Sequence, residues 1–150
     1  MTDADFHRLM SVRKYFEQTV VLPAVGGTGT WQLSGATSGD RFFLDINRKG
    51  KLELTKYTIQ NRYVITRQPL VRVDIDSPPH INPDGTKKSR NHIHLFRESG
   101  SEHGNLPWAY EFDEIDGLEI FLSRLDFMSV FDGFCNYCNI DTANIQRTII

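Results

Sequence analysis

Only two cysteines occur among 150 residues, Cys135 and Cys138. Two thiols cannot build the disulfide framework of a small secreted domain, and they fit a reducing compartment. Long apolar runs are missing as well. The longest, residues 19–25, contains Pro23 and falls far short of the ~20 residues that a membrane helix needs. The first ten residues, MTDADFHRLM, carry acids early and no apolar stretch, so no secretory signal is read there. The expectation is a cytoplasmic protein with no membrane partner.

Excess positive charge is the third absence. The formal net charge is −2, which excludes a broadly basic binder that works by neutralising many phosphates but leaves room for a local basic patch. Internal repeats and low-complexity tracts are also lacking. An ordinary balance of 39% hydrophobic and 24% charged residues fits a globular chain, and the length fits one domain over residues 1–150.

Phe6, Leu9, Met10, Arg13 and Phe16 follow helical spacing, with Asp3 or Asp5 as cap. Glycines then break the chain over residues 20–38, leaving a loop or short strands around Trp31 and Leu33. Phe42, Leu44 and Ile46 alternate with polar positions; Asn47 to Gly50 reads as a turn, and Leu52 and Leu54 as the returning strand of a hairpin. Further strands are expected at 62–66 (RYVIT), 70–75 (LVRVDI), 92–97 and 108–112. A polar loop punctuated by Pro78, Pro79, Pro83 and Asp84-Gly85 covers 76–90. Leu118, Phe121, Leu122 and Leu125 share a helical face, as do Phe127, Val130, Phe131 and Phe134 after Asp126. The fold class that follows is α+β, a mainly antiparallel sheet of about five to seven strands with an N-terminal helix and C-terminal helices.

The stretch from Arg72 to Arg97 is the most chemically loaded. Along 70–76, Arg72, Asp74 and Asp76 alternate with Val71, Val73 and Ile75; along 92–97, His92, His94 and Phe96 alternate with Ile93, Leu95 and Arg97. If the two strands pair antiparallel with their aliphatic residues in the core, Arg72, Asp74, Asp76, His92 and His94 share the other surface. His80, on the connecting loop, reaches the same end. Two imidazoles beside an arginine and carboxylates suit metal-free acid–base cleavage of a phosphodiester: His92 and His94 as acid and base, Arg72 stabilising the developing anion, Asp74 orienting a histidine, His80 in support. No metal and no cofactor is required by that scheme. Two other readings use the same residues. Polar alternation is the ordinary solvated face of a strand, and three histidines with Asp74 or Asp76 also form a donor set for Zn²⁺ or another divalent ion.

Other motifs carry less. Cys135-x-x-Cys138 has no second pair and falls at helical spacing with Phe131 and Phe134, so both thiols read as core residues rather than as metal or redox groups. Gly26-Gly27-Thr28-Gly29 lacks the Lys-Ser or Lys-Thr of a phosphate loop. The run Lys87-Lys88-Ser89-Arg90 is a solvated loop or, with Arg97, a set of phosphate contacts for substrate.

Taken together, VRVDIDSPPHINPDG, NHIHLFRE and PWAYEF resemble a family of small uncharacterised proteins of bacteria, phages and mobile elements. Its pattern is an R-x-D strand, a P-P-H-x-N-P-D-G loop, an H-x-H strand ending in aromatic-Arg-Glu, then W-A-Y. Here those positions are Arg72, Asp74, Pro78, Pro79, His80, Asn82, Pro83, Asp84, Gly85, His92, His94, Phe96, Arg97, Glu98, Trp108, Ala109 and Tyr110. The likeness spans residues 70–138. It departs from the pattern at ESGSEHGNLP, residues 98–107, which replaces a shorter turn and forms one wall of any site. A looser likeness to toxin components of toxin–antitoxin pairs implies an RNA substrate and an antitoxin partner. Small phage-borne domains of this size imply a different role, non-catalytic inhibition of a host defence complex in the manner of an anti-CRISPR protein.

Overall fold

The structure, a computed structural model, describes residues 1–50 and 54–147. In chain order the elements are α1 (Asp3–Ser11), β1 (Lys14–Phe16), β2 (Val20–Val21), β3 (Thr28–Gly35), β4 (Arg41–Asn47), β5 (Tyr57–Tyr63), β6 (Pro69–Ile75), β7 (His80–Ile81), β8 (Lys87–Lys88), β9 (His92–Leu95), β10 (Ala109–Tyr110), α2 (Phe127–Tyr137), β11 (Ile140–Asp141) and β12 (Ile145–Gln146). Eight strands form one sheet in the order β10-β9-β6-β5-β4-β3-β1-β11. Every neighbouring pair in it is antiparallel except β1 with β11. The α+β class is therefore as expected, with a sheet one strand larger than the expected range.

Period-2 alternation decides which side of the sheet is buried. Phe42, Leu44 and Ile46 of β4, Tyr57 and Ile59 of β5, Val71, Val73 and Ile75 of β6, and Ile93 of β9 are all buried in one core. α2 covers that face with Phe127, Val130, Phe131 and Phe134, and Asp126 caps it by accepting from Ser129 N–H. α1 closes the other end with Phe6 and Leu9, the Phe6 ring lying 5.9 Å from that of Phe96. Cys135 and Cys138 are free thiols buried in this core.

Several local expectations are corrected. Thr2, not Asp3 or Asp5, caps α1, in a reciprocal box with Asp5, and Phe16 belongs to β1 rather than to the helix. The glycine-rich segment yields an eight-residue strand, β3. β4 pairs with β5, so the hairpin returns at Tyr57; Leu54 lies exposed in a turn and Leu52 falls outside the described residues. Residues 64–66 are a turn, with β5 ending at Tyr63. The strand at 108–112 is only Ala109–Tyr110, followed by a 3-10 turn at Phe112–Glu114. Residues 119–122 form another 3-10 turn, which leaves α2 as the single α-helix among the described residues of the C-terminal third, and Leu122 is exposed.

Lys14 is the unusual member of the core. It is wholly buried, its Nζ donating to the carbonyls of Cys138 (2.7 Å) and Val12 (3.0 Å) over the Phe42 ring. Burial pushes its pKa down to about 8, outweighing the charge of Asp40, which makes no hydrogen bond to it. The folded protein therefore binds fewer protons here than the unfolded chain between pH 8 and the ordinary lysine value of 10.5. Stability from this group rises with pH across that window, by about 3 kcal/mol at most. The Cys135 and Cys138 thiols, pushed up by burial, act in the opposite direction over the same range. The informative quantity is thus a difference. Urea unfolding at pH 7.5 and pH 10 should show wild type gaining 1–3 kcal/mol relative to Lys14→Met (about the range that the shift allows), and equal pH dependence in the two proteins would contradict a buried ammonium.

Candidate functional site

β6 and β9 pair with Arg72 opposite His94 and Asp74 opposite His92, as the shared alternation requires. All four side chains point away from the aliphatic core. They do not form a solvated face, however. His92 and His94 are each 1% exposed and Asp74 is 6% exposed, because the 76–91 connection folds back over the strands and residues 96–108 close the far side. Asp76 leaves the strand in a left-handed conformation, φ 54°, and turns the chain into that cover.

Asp74 is the hub. Its Oδ1 accepts from Arg72 Nε at 3.0 Å, and its Oδ2 lies 3.2 Å from Nε2 of both His92 and His94. Burial opposes ionisation of this carboxyl, but contacts with His92 and His94 and the charge of Arg72 outweigh it and hold the pKa far below the usual carboxylate range.

Backbone carbonyls assign the protons. Nδ1 of His92 lies 2.6 Å from the Ser89 carbonyl and Nδ1 of His94 lies 2.8 Å from that of Leu106, so each Nδ1 carries hydrogen and donates. Arg72 Nη2, which can only donate, approaches Nε2 of His94 at 3.1 Å. His94 is thereby a neutral imidazole, in keeping with a pKa lowered chiefly by burial, against its contact with Asp74. For His92 both ring nitrogens face acceptors, Nδ1 the Ser89 carbonyl and Nε2 the Asp74 carboxylate.

His80 stands apart from this buried trio. It is half-buried on β7, its ring centroid 4.6 Å from that of His94, with Nε2 2.7 Å from the Pro107 carbonyl. Asn82 fixes the loop that bears it. The buried amide donates to the Ala109 carbonyl (3.0 Å) and accepts from Ala109 N–H (2.8 Å), pairing with β10 as a strand would. The carbonyls that hold His80 and His94 come from Pro107 and Leu106, within the segment where the sequence leaves the expected pattern. Leu106 is left-handed, φ 50°, and Trp108 pins the loop by donating from Nε1 to Ser99 O.

The cluster opens into a cavity of about 580 Å³ lined by Arg72, Asp74, His80, His92 and His94 together with Lys56 and Gln60. Lys56 and Gln60 belong to β5 and its approach, ahead of the expected strand at 62–66. The alternation of Tyr57, Ile59, Asn61 and Tyr63 against Thr58, Gln60 and Arg62 was the signal that could have shown them. The basic residues expected to bind substrate lie elsewhere. Lys88 pairs with Glu114 at 2.8 Å, Arg90 donates to the carbonyls of Asp76 and Ser77, Arg97 stacks on Trp108, and Lys87 is exposed on β8; none of these four lines the cavity.

Asp74, His92 and His94 also form the one cluster of potential metal donors among the described residues, their ligand atoms within 4.8 Å of one another. Two imidazoles and a carboxylate can bind a divalent ion. Arg72, whose guanidinium bridges Asp74 and His94, already places a cation on that side. Neither cysteine belongs to such a cluster.

The model of a family of unknown function, DUF6978, matches residues 1–140. The chain belongs to that family. The match takes in the N-terminal half as well as the region that carried the resemblance, and it comes with no statement of origin or activity. No curated protein and no solved structure matches the chain. No helix among the described residues is long and apolar enough to cross a membrane.

Removal of the hub should be costly, because it leaves buried donors and charge without a partner. Asp74→Asn is expected to lower the urea unfolding free energy at pH 7 by about 3 kcal/mol. The folded pKa is depressed, so this stability is present above the ordinary value of 3.8 and is lost as the pH falls below it. The difference between wild type and variant should therefore shrink below pH 4, and a constant difference down to pH 3 would show that the carboxylate charge is not its source.

Proposed function

We propose that this protein is an RNA-directed nuclease that cleaves the phosphodiester by acid–base chemistry and needs no metal. The observation that carries the reading is the convergence of three imidazoles, Arg72 and Lys56 on one open cavity, with Asp74 fixing the two innermost rings. A phosphodiester is an anion, and the partly exposed guanidinium of Arg72 offers it a donor beside groups able to carry protons. RNA suits a metal-free site because its 2′-hydroxyl supplies the nucleophile from within the substrate; the histidines need only move protons. An acidic chain can meet such a substrate through local cations, here Arg72 and Lys56 in a cavity that also holds the carboxylates of Asp45 and Asp74.

Incubation of purified protein with mixed cellular RNA in EDTA tests the reading. Wild type should cleave, and Arg72→Ala should lose about 10²–10³-fold in rate, the scale of a deleted transition-state donor. The absence of any cleavage by wild type would defeat the nuclease reading and favour non-catalytic binding to a host defence protein. Cleavage abolished by EDTA and restored by a divalent ion would turn Asp74, His92 and His94 into metal ligands.

A further inference from the structure

We propose that His80, through Nδ1, takes the proton from the ribose 2′-hydroxyl, while His92 and His94 are fixed beside Asp74 as the cavity floor. The inference rests on the nuclease reading and divides its work among the three imidazoles. Each inner histidine has both ring nitrogens committed, Nδ1 to a backbone carbonyl and Nε2 to the Asp74–Arg72 network. Both rings are almost wholly buried. A proton transferred at Nε2 of either would have to pass through the hub that holds the two strands together.

His80 has the opposite arrangement. Donation from Nε2 to the Pro107 carbonyl fixes the tautomer and leaves the Nδ1 lone pair free. Among the described residues Nδ1 has no hydrogen-bond partner, and the ring is a half-exposed wall of the cavity. Its position is held from three sides: Pro78-Pro79 precedes it, Asn82 clamps the loop to β10, and β7 pairs with β8 through His80 and Lys88. A general base needs such an oriented lone pair facing substrate, and a surface histidine on a free loop would lack it.

The chemistry balances with one such base. As O2′ bonds to phosphorus, its proton passes to Nδ1 of His80 and the P–O5′ bond breaks. The departing O5′ takes a proton from water in the open cavity, and the His80 imidazolium returns its own proton to the hydroxide so formed. The products are a 2′,3′-cyclic phosphate and a 5′-hydroxyl. Arg72 donates to the phosphoryl oxygens as charge builds on them.

Two measurements test the assignment. Long-range ¹H–¹⁵N imidazole spectra of wild-type protein at pH 7.5 should show His80 as the Nε2–H tautomer and His94 as Nδ1–H. Addition of an all-2′-deoxy oligonucleotide, which lacks the nucleophile, should shift the His80 Nδ1 resonance. The Nδ1–H tautomer at His80 would overturn the proposal whatever the activity. In the cleavage assay, His80→Gln keeps a donor for Pro107 O but has no base. It should lose about 10²–10⁴-fold in rate with unchanged thermal stability. His80→Ala should be partly rescued by added imidazole, and both variants should lose the acid limb of the pH–rate profile. Cleavage by His80→Gln at the wild-type rate with that limb intact would overturn the role of His80 and leave the nuclease reading standing. Failure of wild type to cleave would overturn both.

Discussion

A buried carboxylate has to find donors, and Asp74 finds them in Arg72 of its own strand and His92 of the next, with His94 packed at 3.2 Å beside the same oxygen. That requirement links the fold to the site. The pairing of Arg72 with His94 and of Asp74 with His92 places the four groups on one face, while Val71, Val73 and Ile93 enter the core from the other. A slip of one residue would exchange the two sets, burying charge among aliphatics and leaving Asp74 without its partners. The polar hub and the apolar core therefore enforce the same register, so the site is no appendage to the sheet but a constraint on it.

The loops complete what the strands begin. A β-strand delivers an imidazole to a face but leaves open which nitrogen is protonated. Here Ser89 and Leu106 settle that with backbone carbonyls aimed at Nδ1, while Pro107 does the same for Nε2 of His80. The use of opposite nitrogens gives chemically similar rings different capacities. The strained backbone at Asp76 and Leu106 lies where the two covering segments turn, one at the start of the 76–91 connection and one at the carbonyl that holds His94.

Much of this was legible in the sequence, and the limits have physical causes. Period-2 alternation is a property of the chain alone, so the shared face of Arg72, Asp74, His92 and His94 could be read directly. Burial of that face could not, since it depends on how the long 76–91 connection folds back, and alternation looks the same beneath a lid as in water. Lys56 and Gln60 were missed because the polar residues of β5 blurred its pattern, the hairpin's return being expected at Leu52 and Leu54 and the next strand only from residue 62. The surroundings of the basic run from Lys87 to Arg90 were hidden for a related reason. Charge is visible in sequence but its partner is not, and Glu114 and the backbone of Asp76 and Ser77 engage Lys88 and Arg90.

Lys14 shows by contrast what the hub accomplishes. Both Lys14 and Asp74 are buried ionisable groups of the same sheet, but the lysine's hydrogen bonds go to two carbonyls and its pKa falls towards the neutral form. Asp74 meets a guanidinium and two imidazoles, and its pKa moves away from the neutral form despite burial. A core can tolerate the first solution because a lysine that gives up its proton becomes an ordinary buried amine. It could not serve the second purpose, which is to keep charge and orientation fixed beside a cavity open to solvent. With its charge so held, Asp74 keeps the inner imidazoles from turning, and of the three rings His80 alone keeps a nitrogen without a hydrogen-bond partner among the described residues.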